Sequence, residues 1–80
     1  MNVNEIIPRL NGVFRDIFGD DSISVTADTT SADIEDWDSL AHINLMDAVE
    51  HEFGLRFKMR EVSSMQNVGD MIKLITERGR

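Results

Sequence analysis

Apolar residues recur at steps of three and four along the first eighteen residues, which is the spacing of one helix face. The stripe consists of Val3, Ile6, Ile7, Leu10, Val13, Phe14, Ile17 and Phe18. Pro8 lacks a backbone N–H and fits only near a helix start, so we expect the helix to begin close to Asn4, with the Asn4 side chain as its cap. Gly19 is the expected end of this helix.

The helical pattern disappears between residues 20 and 37, where Ser, Thr and Asp surround scattered apolar residues. Ile23, Val25 and Ala27 alternate as in a strand, but no second strand-like segment exists to pair with them. We therefore predict an ordered loop held by these residues and Ile34. A loop of this length is uncommon in a compact domain and is often functional.

A second helix is predicted from Ser39 to Phe53, with Asp38 or Ser39 as its N-cap and Gly54 as its left-handed end. Its broad apolar side consists of Leu40, Ile43, Leu45, Met46, Val49 and Phe53. The opposite side carries Asn44, Asp47, Glu50 and His51. The pattern indicates a core helix with an acidic outer face.

The last third of the chain begins with Leu55 to Lys58, where apolar and basic residues alternate as in an extended connector. Met59 to Met65 has room for a turn or two of helix. Asn67 to Asp70 has capping-box spacing, and Val68, Met71, Ile72 and Ile75 form the stripe of a last helix that ends at Gly79. The sequence thus predicts an all-α, small four-helix bundle, with three main helices plus one short helix, a long loop between the first and second helices, and a single domain over residues 1–80.

Length and composition exclude several classes of protein. Eighty residues form one small domain with little room for an active-site cleft, so we do not expect an enzyme. The chain has no cysteine, which excludes disulfides and thiolate metal sites and suits a reducing, cytoplasmic location. No apolar run exceeds two residues, so we predict neither a signal peptide nor membrane insertion.

Negative charge is concentrated in the middle of the chain. Of the fifteen acids that give a net charge of −7, eleven lie between Asp16 and Leu55, where there is no lysine or arginine. The middle is therefore −11 and the rest +4. Such a surface repels nucleic acid and anionic membranes and suits basic protein surfaces, although an acidic surface also serves solubility alone.

Common catalytic and metal-binding motifs are absent from the sequence. It has no Walker loop, dinucleotide fingerprint, zinc-protease helix or calcium loop. Asp47 and His51 lie one helical turn apart, but two ligands without a third favour a solvated pair, and no metal is expected. Ser39 and His42 superficially supply a nucleophile and a base, yet a hydrolase also needs an oxyanion hole and a substrate pocket. We expect no catalytic residue, and we expect His42 to be a partly buried histidine whose hydrogen bonds are satisfied by the loop.

Ser39 occupies the first turn of the second helix, directly after the acidic loop. Unpaired N–H groups and the positive end of the dipole at such a position favour an attached phosphate. A serine there is most often a simple cap, so the tripeptide Asp-Ser-Leu is weak evidence by itself.

Longer stretches around this serine resemble the acyl carrier protein family, and the order and spacing of the helices agree over essentially the whole chain. The stretches are Trp37-Asp38-Ser39-Leu40, Ala41-His42-Ile43-Asn44-Leu45, Glu50-His51-Glu52-Phe53-Gly54 and Asn67-Val68-Gly69-Asp70-Met71. The resemblance implies a carrier that holds acyl groups as thioesters and shuttles them between enzymes of a fatty-acid, polyketide or specialised acyl pathway.

The resemblance also implies the site residues and the cofactor. Ser39 would receive 4′-phosphopantetheine from coenzyme A through a phosphopantetheinyl transferase, with Asp38 positioning the serine and the magnesium ion of the transferase, and Leu40 completing the motif. An acyl chain would be sheltered in the core by Ile43, Met46, Val49, Phe57, Met65 and Ile72. The protein is expected to be a monomer.

The second helix of such carriers docks onto basic patches of acyl-loading, synthase or transferase enzymes. The resemblance assigns this role to Asp47, Glu50 and Glu52, with Leu40 and Met46 as apolar contacts. Charge pairs of this kind mainly steer encounter and keep binding transient.

This chain departs from the fatty-acid carriers at several positions. Glu35-Asp36-Trp37 replaces small residues and a glycine, Ala41 and Asn44 replace acids, and Arg56, Lys58 and Arg60 add positive charge. These differences favour a specialised stand-alone carrier, for instance in polyketide, surface-polysaccharide or aminoacyl modification. Trp37 is interpreted as a brace for the loop in preference to a partner contact. Two alternatives stay open, an aminoacyl or peptidyl carrier of the same fold and a small helical adaptor with no prosthetic group.

Overall fold

The computed structural model describes residues 2–78, and these residues form four helices and no strand. They are α1 (Val3–Phe18), α2 (Ser39–Phe53), α3 (Met59–Ser64) and α4 (Val68–Arg78). The predicted all-α bundle of three main helices and one short helix is confirmed. Within residues 2–78 no helix is both long and apolar enough to cross a membrane.

The start of α1 lies earlier than the sequence pattern suggested. The side chain of Asn2 accepts a hydrogen bond from the backbone N–H of Glu5 at 3.1 Å, so Asn2 is the N-cap and the expectation for Asn4 was wrong. Pro8 lies inside the helix on its exposed side, where it removes one backbone hydrogen bond without ending the helix. Gly19 ends α1 as predicted, with a left-handed φ of 61°.

The bounds of α2 agree with the prediction at both ends. Asp38 is the N-cap, because its Oδ1 accepts the backbone N–H of Ala41 at 2.8 Å, and Gly54 ends the helix with φ 64°. The expected apolar side was too broad, since Leu40 is 70% exposed and Ile43 is 55% exposed. Leu40 lies four residues before Asn44, and Ile43 lies four residues before Asp47, so both share the outer face of the helix with these polar residues. The buried residues of α2 are Leu45, Met46, Val49 and Phe53.

The C-terminal part contains the short helix and the last helix as predicted. Asn67 Oδ1 accepts the N–H of Asp70 at 2.8 Å, while Asp70 Oδ2 accepts the N–H of Gln66 at 3.0 Å. The pair resembles a capping box, except that the Asp70 side chain accepts the N–H of Gln66 and not that of the N-cap Asn67. Val68, Met71, Ile72 and Ile75 are all buried, as their spacing predicted. Gly79, the expected end of α4, lies outside the described residues.

The core is one cluster in which α1 packs against α2 and α4. It also contains two residues of the long loop, Val25 and Trp37. The Trp37 ring meets the Phe14 ring edge-on at 5.3 Å between centroids. Burial of Trp37 in this contact fits the interpretation of its ring as a brace for the loop.

The long loop is ordered by polar contacts as well as by these apolar anchors. Asn11 Oδ1 accepts the N–H of Val25 at 2.7 Å, and Arg15 Nε donates to the Ile23 carbonyl at 2.7 Å. The carbonyl of Ala27 accepts the N–H of Gly69 at 2.8 Å. The loop is therefore attached to α1 at one side and to the start of α4 at the other.

Candidate functional site

Ser39 is the first residue of α2, and its side chain is exposed. Asp38 supplies the capping oxygen, so the Ser39 hydroxyl is not used as the helix cap. The alternative in which Ser39 is a plain N-cap is therefore wrong. An exposed hydroxyl at the positive end of a helix is well placed to carry a phosphoryl group, because the dipole favours the negative charge.

A groove of about 440 Å³ opens beside Ser39, between the first turns of α2 and the short helix α3. Its apolar lining consists of Trp37, Ile43, Met59, Val62 and Met65. Polar side chains of the loop and of both helices complete the lining. The groove can therefore take a flexible chain with both amide and hydrocarbon parts.

His42 stands in this groove with both ring nitrogens bonded. Trp37 Nε1 donates to His42 Nδ1 at 3.0 Å, and His42 Nε2 lies 3.0 Å from the Val62 carbonyl oxygen. The prediction of a partly buried histidine is confirmed. Its hydrogen-bond partners come from the loop, as expected, and also from α3, which was not expected. Neither nitrogen is left to act as a base for Ser39, so the geometry opposes the hydrolase alternative.

The six residues expected to shelter an acyl chain divide into two groups. Ile43 and Met65 line the groove. Met46, Val49 and Ile72 are at most 7% exposed and belong to the packed core, while Phe57 packs against the core from outside. Met59 and Val62 were not identified from the sequence as residues of the groove. Their spacing of three in the predicted short helix was the pattern that could have indicated them.

The five residues expected to contact partners also differ in exposure. Leu40 and Asp47 have exposed side chains. Met46 is only 3% exposed, so its side chain lies in the core and offers no surface to a partner. Glu50 Oε2 accepts the backbone N–H of Phe57 at 2.7 Å, and Glu52 forms an ion pair with Arg9 at 2.8 Å. Two of the three predicted docking acids are thus engaged in contacts within the chain.

The hypothetical metal pair of Asp47 and His51 gains no third ligand. Across residues 2–78 there is no group of three or more His, Cys, Asp or Glu side chains that could hold a metal ion. Asp47 and His51 instead line an acidic groove of about 680 Å³ between the end of α2 and the C-terminal half of α1.

Comparison with known proteins connects this geometry to a family. The family model described as "Phosphopantetheine attachment site" matches residues 8–75, which include Ser39. The acyl carrier protein of Petrotoga mobilis is 28% identical over 78 residues, which cover 98% of this chain and 92% of that protein. The solution NMR structure of holo acyl carrier protein from Geobacter metallireducens superposes with a TM-score of 0.83 and 38% identity, covering 90% of this chain and 83% of that chain.

Proposed function

Because the chain belongs to the acyl carrier proteins, whose family model is that of a phosphopantetheine attachment site, we propose that Ser39 is the residue that carries its 4′-phosphopantetheine. The protein is a carrier and not an enzyme. The observation that supports Ser39 most directly is its exposure at the first position of α2 while Asp38 does the capping.

Attachment uses the Ser39 hydroxyl once. Its Oγ attacks the phosphorus that bears the pantetheine in coenzyme A, an Oγ–P bond forms, and the P–O bond of the diphosphate breaks. Adenosine 3′,5′-bisphosphate leaves, and the serine proton passes to a base on the transferase. Asp38 Oδ1 is engaged in the cap, and the Asp38 carboxylate would help to hold the magnesium ion of the transferase, which would neutralise the charge of the diphosphate. The attached group supplies the terminal thiol that this cysteine-free chain lacks.

The groove beside Ser39 is our candidate site for the arm and the first part of its cargo. Ile43 on α2 and Met59 on α3 form its apolar walls, and Met59 is 73% exposed. Covering such side chains would be favourable, because apolar surface is removed from water. Polar side chains of the same groove would be available to the amides of the arm.

As an acyl carrier protein the chain acts with synthases and transferases, and we propose that they contact it through Leu40, Ile43 and Asp47. The two apolar residues are exposed near Ser39, and Asp47 follows Ile43 by one helical turn. A basic patch on the partner would be attracted by Asp47 and by the acidic loop before Ser39. We also propose a cytoplasmic location, because attachment needs coenzyme A.

The pathway that we propose is a dedicated one and not housekeeping fatty-acid synthesis. Support comes from the exposed basic residues Arg56, Lys58 and Arg60, of which Arg56 lines one groove with Asp47 of α2, and from Glu35-Asp36 before the buried Trp37. A partner that fits this surface needs acidic as well as basic groups. Intact-mass measurement of the protein from its native host would weigh the arm and its cargo together.

The attachment site is tested by incubation with coenzyme A and a broad-specificity phosphopantetheinyl transferase. We expect the intact mass to rise by one phosphopantetheine in the wild type and in Ser63→Ala, a serine of the same groove on α3. Ser39→Ala should gain nothing. An unmodified wild type would favour the helical adaptor without a prosthetic group, and an undiminished gain in Ser39→Ala would exclude Ser39.

A further inference from the structure

The short helix α3 is held in place with little help from burial. It has six residues, none of which is buried. Val62 and the following Met65 are partly buried and touch the core. Because buried apolar surface is the main source of helix stability in proteins, the position of α3 depends strongly on its polar contacts with the rest of the chain.

One of these contacts comes from His42 and requires a single tautomer. The indole N–H of Trp37 can only donate, so His42 Nδ1 must carry a lone pair and accept it. The ring proton is then on Nε2, which donates to the Val62 carbonyl at 3.0 Å. The imidazole also stacks on the Trp37 ring, with 5.8 Å between centroids and 27° between planes. Ring orientation and proton position are therefore fixed by the loop.

The Val62 carbonyl needs such a donor because of where α3 ends. In a longer helix it would accept the N–H four residues later, at Gln66, but α3 ends at Ser64. Carbonyls of the last turn must find other partners. Ser64 Oγ donates to the Glu61 carbonyl at 3.1 Å, and His42 serves the Val62 carbonyl from the neighbouring helix.

We propose that His42 is a positioning residue, which holds the end of α3 against the first turns of α2 and thereby sets the width of the groove beside Ser39. Ser39 and His42 are three residues apart on one side of α2, and Val62 faces them across the groove. Trp37 orients His42, and its own ring is fixed against Phe14 in the core. The inference that the groove receives the arm rests on the proposed function, whereas the contact between the two helices does not.

The ionisable surroundings of His42 are simple. Asp38 is the other ionisable residue among those that line the groove, and its Oδ1 is engaged with Ala41. The residues that α3 adds to the lining are Met59, Val62 and Ser63. On the far side of α3, Glu61 is bonded to the Lys58 N–H and to Arg78. The position of α3 thus has a second polar support that does not involve His42.

The test compares His42→Phe with His51→Phe, the same change at the exposed end of α2, in the unmodified protein. Phenylalanine keeps a ring against Trp37 but removes both hydrogen bonds. We expect amide hydrogen exchange in α3 to become about tenfold faster in His42→Phe, relative to any change in α1 and α4, since a partly buried hydrogen bond is worth about this factor. His51→Phe should leave the exchange rate of α3, relative to the rates of α1 and α4, unchanged. An equal change in all helices, or none in α3, would overturn the proposal.

Two further measurements keep the inference testable if His42→Phe folds poorly. In the wild type, long-range ¹H–¹⁵N spectra should show His42 with its proton on Nε2 alone, and a mixture of tautomers would contradict the contact. Trp37→Phe keeps the aromatic packing, and the proton should stay on Nε2 because the Val62 carbonyl still accepts from it; a move of the proton to Nδ1 would contradict the bond to Val62. Both measurements use the unmodified chain, so their outcomes do not depend on attachment at Ser39.

Consequences for cargo are measured on the modified chain. With a butyryl thioester loaded, we expect faster hydrolysis at fixed pH in His42→Phe than in wild type and His51→Phe, because a loosened α3 covers the thioester less. If His42→Phe and wild type hydrolysed at equal rates although exchange in α3 was selectively faster in His42→Phe, the role of His42 in setting the width of the groove would be refuted.

Discussion

Glu52 near the end of α2 is tied to Arg9 of α1, with 2.8 Å between Glu52 Oε2 and Arg9 Nε. The guanidinium of Arg9 also lies over the Phe53 ring, 4.5 Å from its centroid. An acid that the family resemblance assigns to docking thus joins the two longest helices. Glu50 is similarly engaged with the Phe57 N–H, whereas Asp47 faces solvent. The acids of α2 therefore have separable roles, which charge counting alone does not reveal.

Asp47→Lys should slow phosphopantetheine attachment at low salt by about tenfold, because it reverses the charge within the proposed docking surface without breaking an internal bond. The thermal midpoint should stay unchanged. Glu77→Lys on the exposed side of α4 makes the same charge change elsewhere and should have a much smaller effect. Equal rates for Asp47→Lys and wild type would remove Asp47 from the docking surface.

Glu50→Ala should lower the free energy of unfolding by about 1–2 kcal/mol, because the Phe57 N–H loses its carboxylate partner in a half-buried place. Glu52→Ala breaks an ion pair whose side chains are 38% and 40% exposed, and should cost only about 0–1 kcal/mol. Urea unfolding of the two variants measures the difference. A larger loss in Glu52→Ala would reverse the roles assigned to these two acids.

The fold was largely predictable from the sequence, because α1 and α4 each carry one clean apolar stripe and Gly19 and Gly54 supply left-handed ends. The start of α1 was misplaced because Asn2 and Asn4 are equally good caps by residue type. In α2 apolar residues occur around most of the helix, so spacing alone did not distinguish buried Met46 from exposed Ile43.

The proposal for Ser39 rests on a motif that is contiguous in the chain and could therefore be made from the sequence alone. The groove beside it could not be predicted, since its width depends on how α3 sits against α2. That placement is set by contacts such as His42 with Val62, twenty residues apart, which no local pattern encodes.

Gly69→Ala should destabilise the protein by about 1–3 kcal/mol, because a Cβ there would lie 2.9 Å from the Ala27 carbonyl oxygen. That oxygen belongs to the backbone of the loop and accepts the Gly69 N–H, so the loop would have to shift. Gly12→Ala in α1 is the matched control, since its Cβ would meet nothing within 4 Å. It should stabilise by about 0.5–1 kcal/mol through helix propensity. Denaturant unfolding that gave both changes the same sign would disprove the close approach of loop and α4.

Acid should weaken the second polar support of α3, which is made by Glu61. The hydrogen bond from the Lys58 backbone N–H, helped by the charge of Arg78, holds the pKa of Glu61 below its ordinary value. A carboxyl whose pKa is lower in the folded state stabilises the fold above its unfolded pKa, and this contribution is lost as the pH falls through the folded pKa. We therefore expect hydrogen exchange in α3 to accelerate, relative to α1, below about pH 4. Glu61→Gln should show the faster exchange already at neutral pH and lose much of the acid dependence, whereas Glu77→Gln should behave as wild type. A carboxyl resonance of Glu61 that titrates at or above the ordinary glutamate range would contradict this assignment.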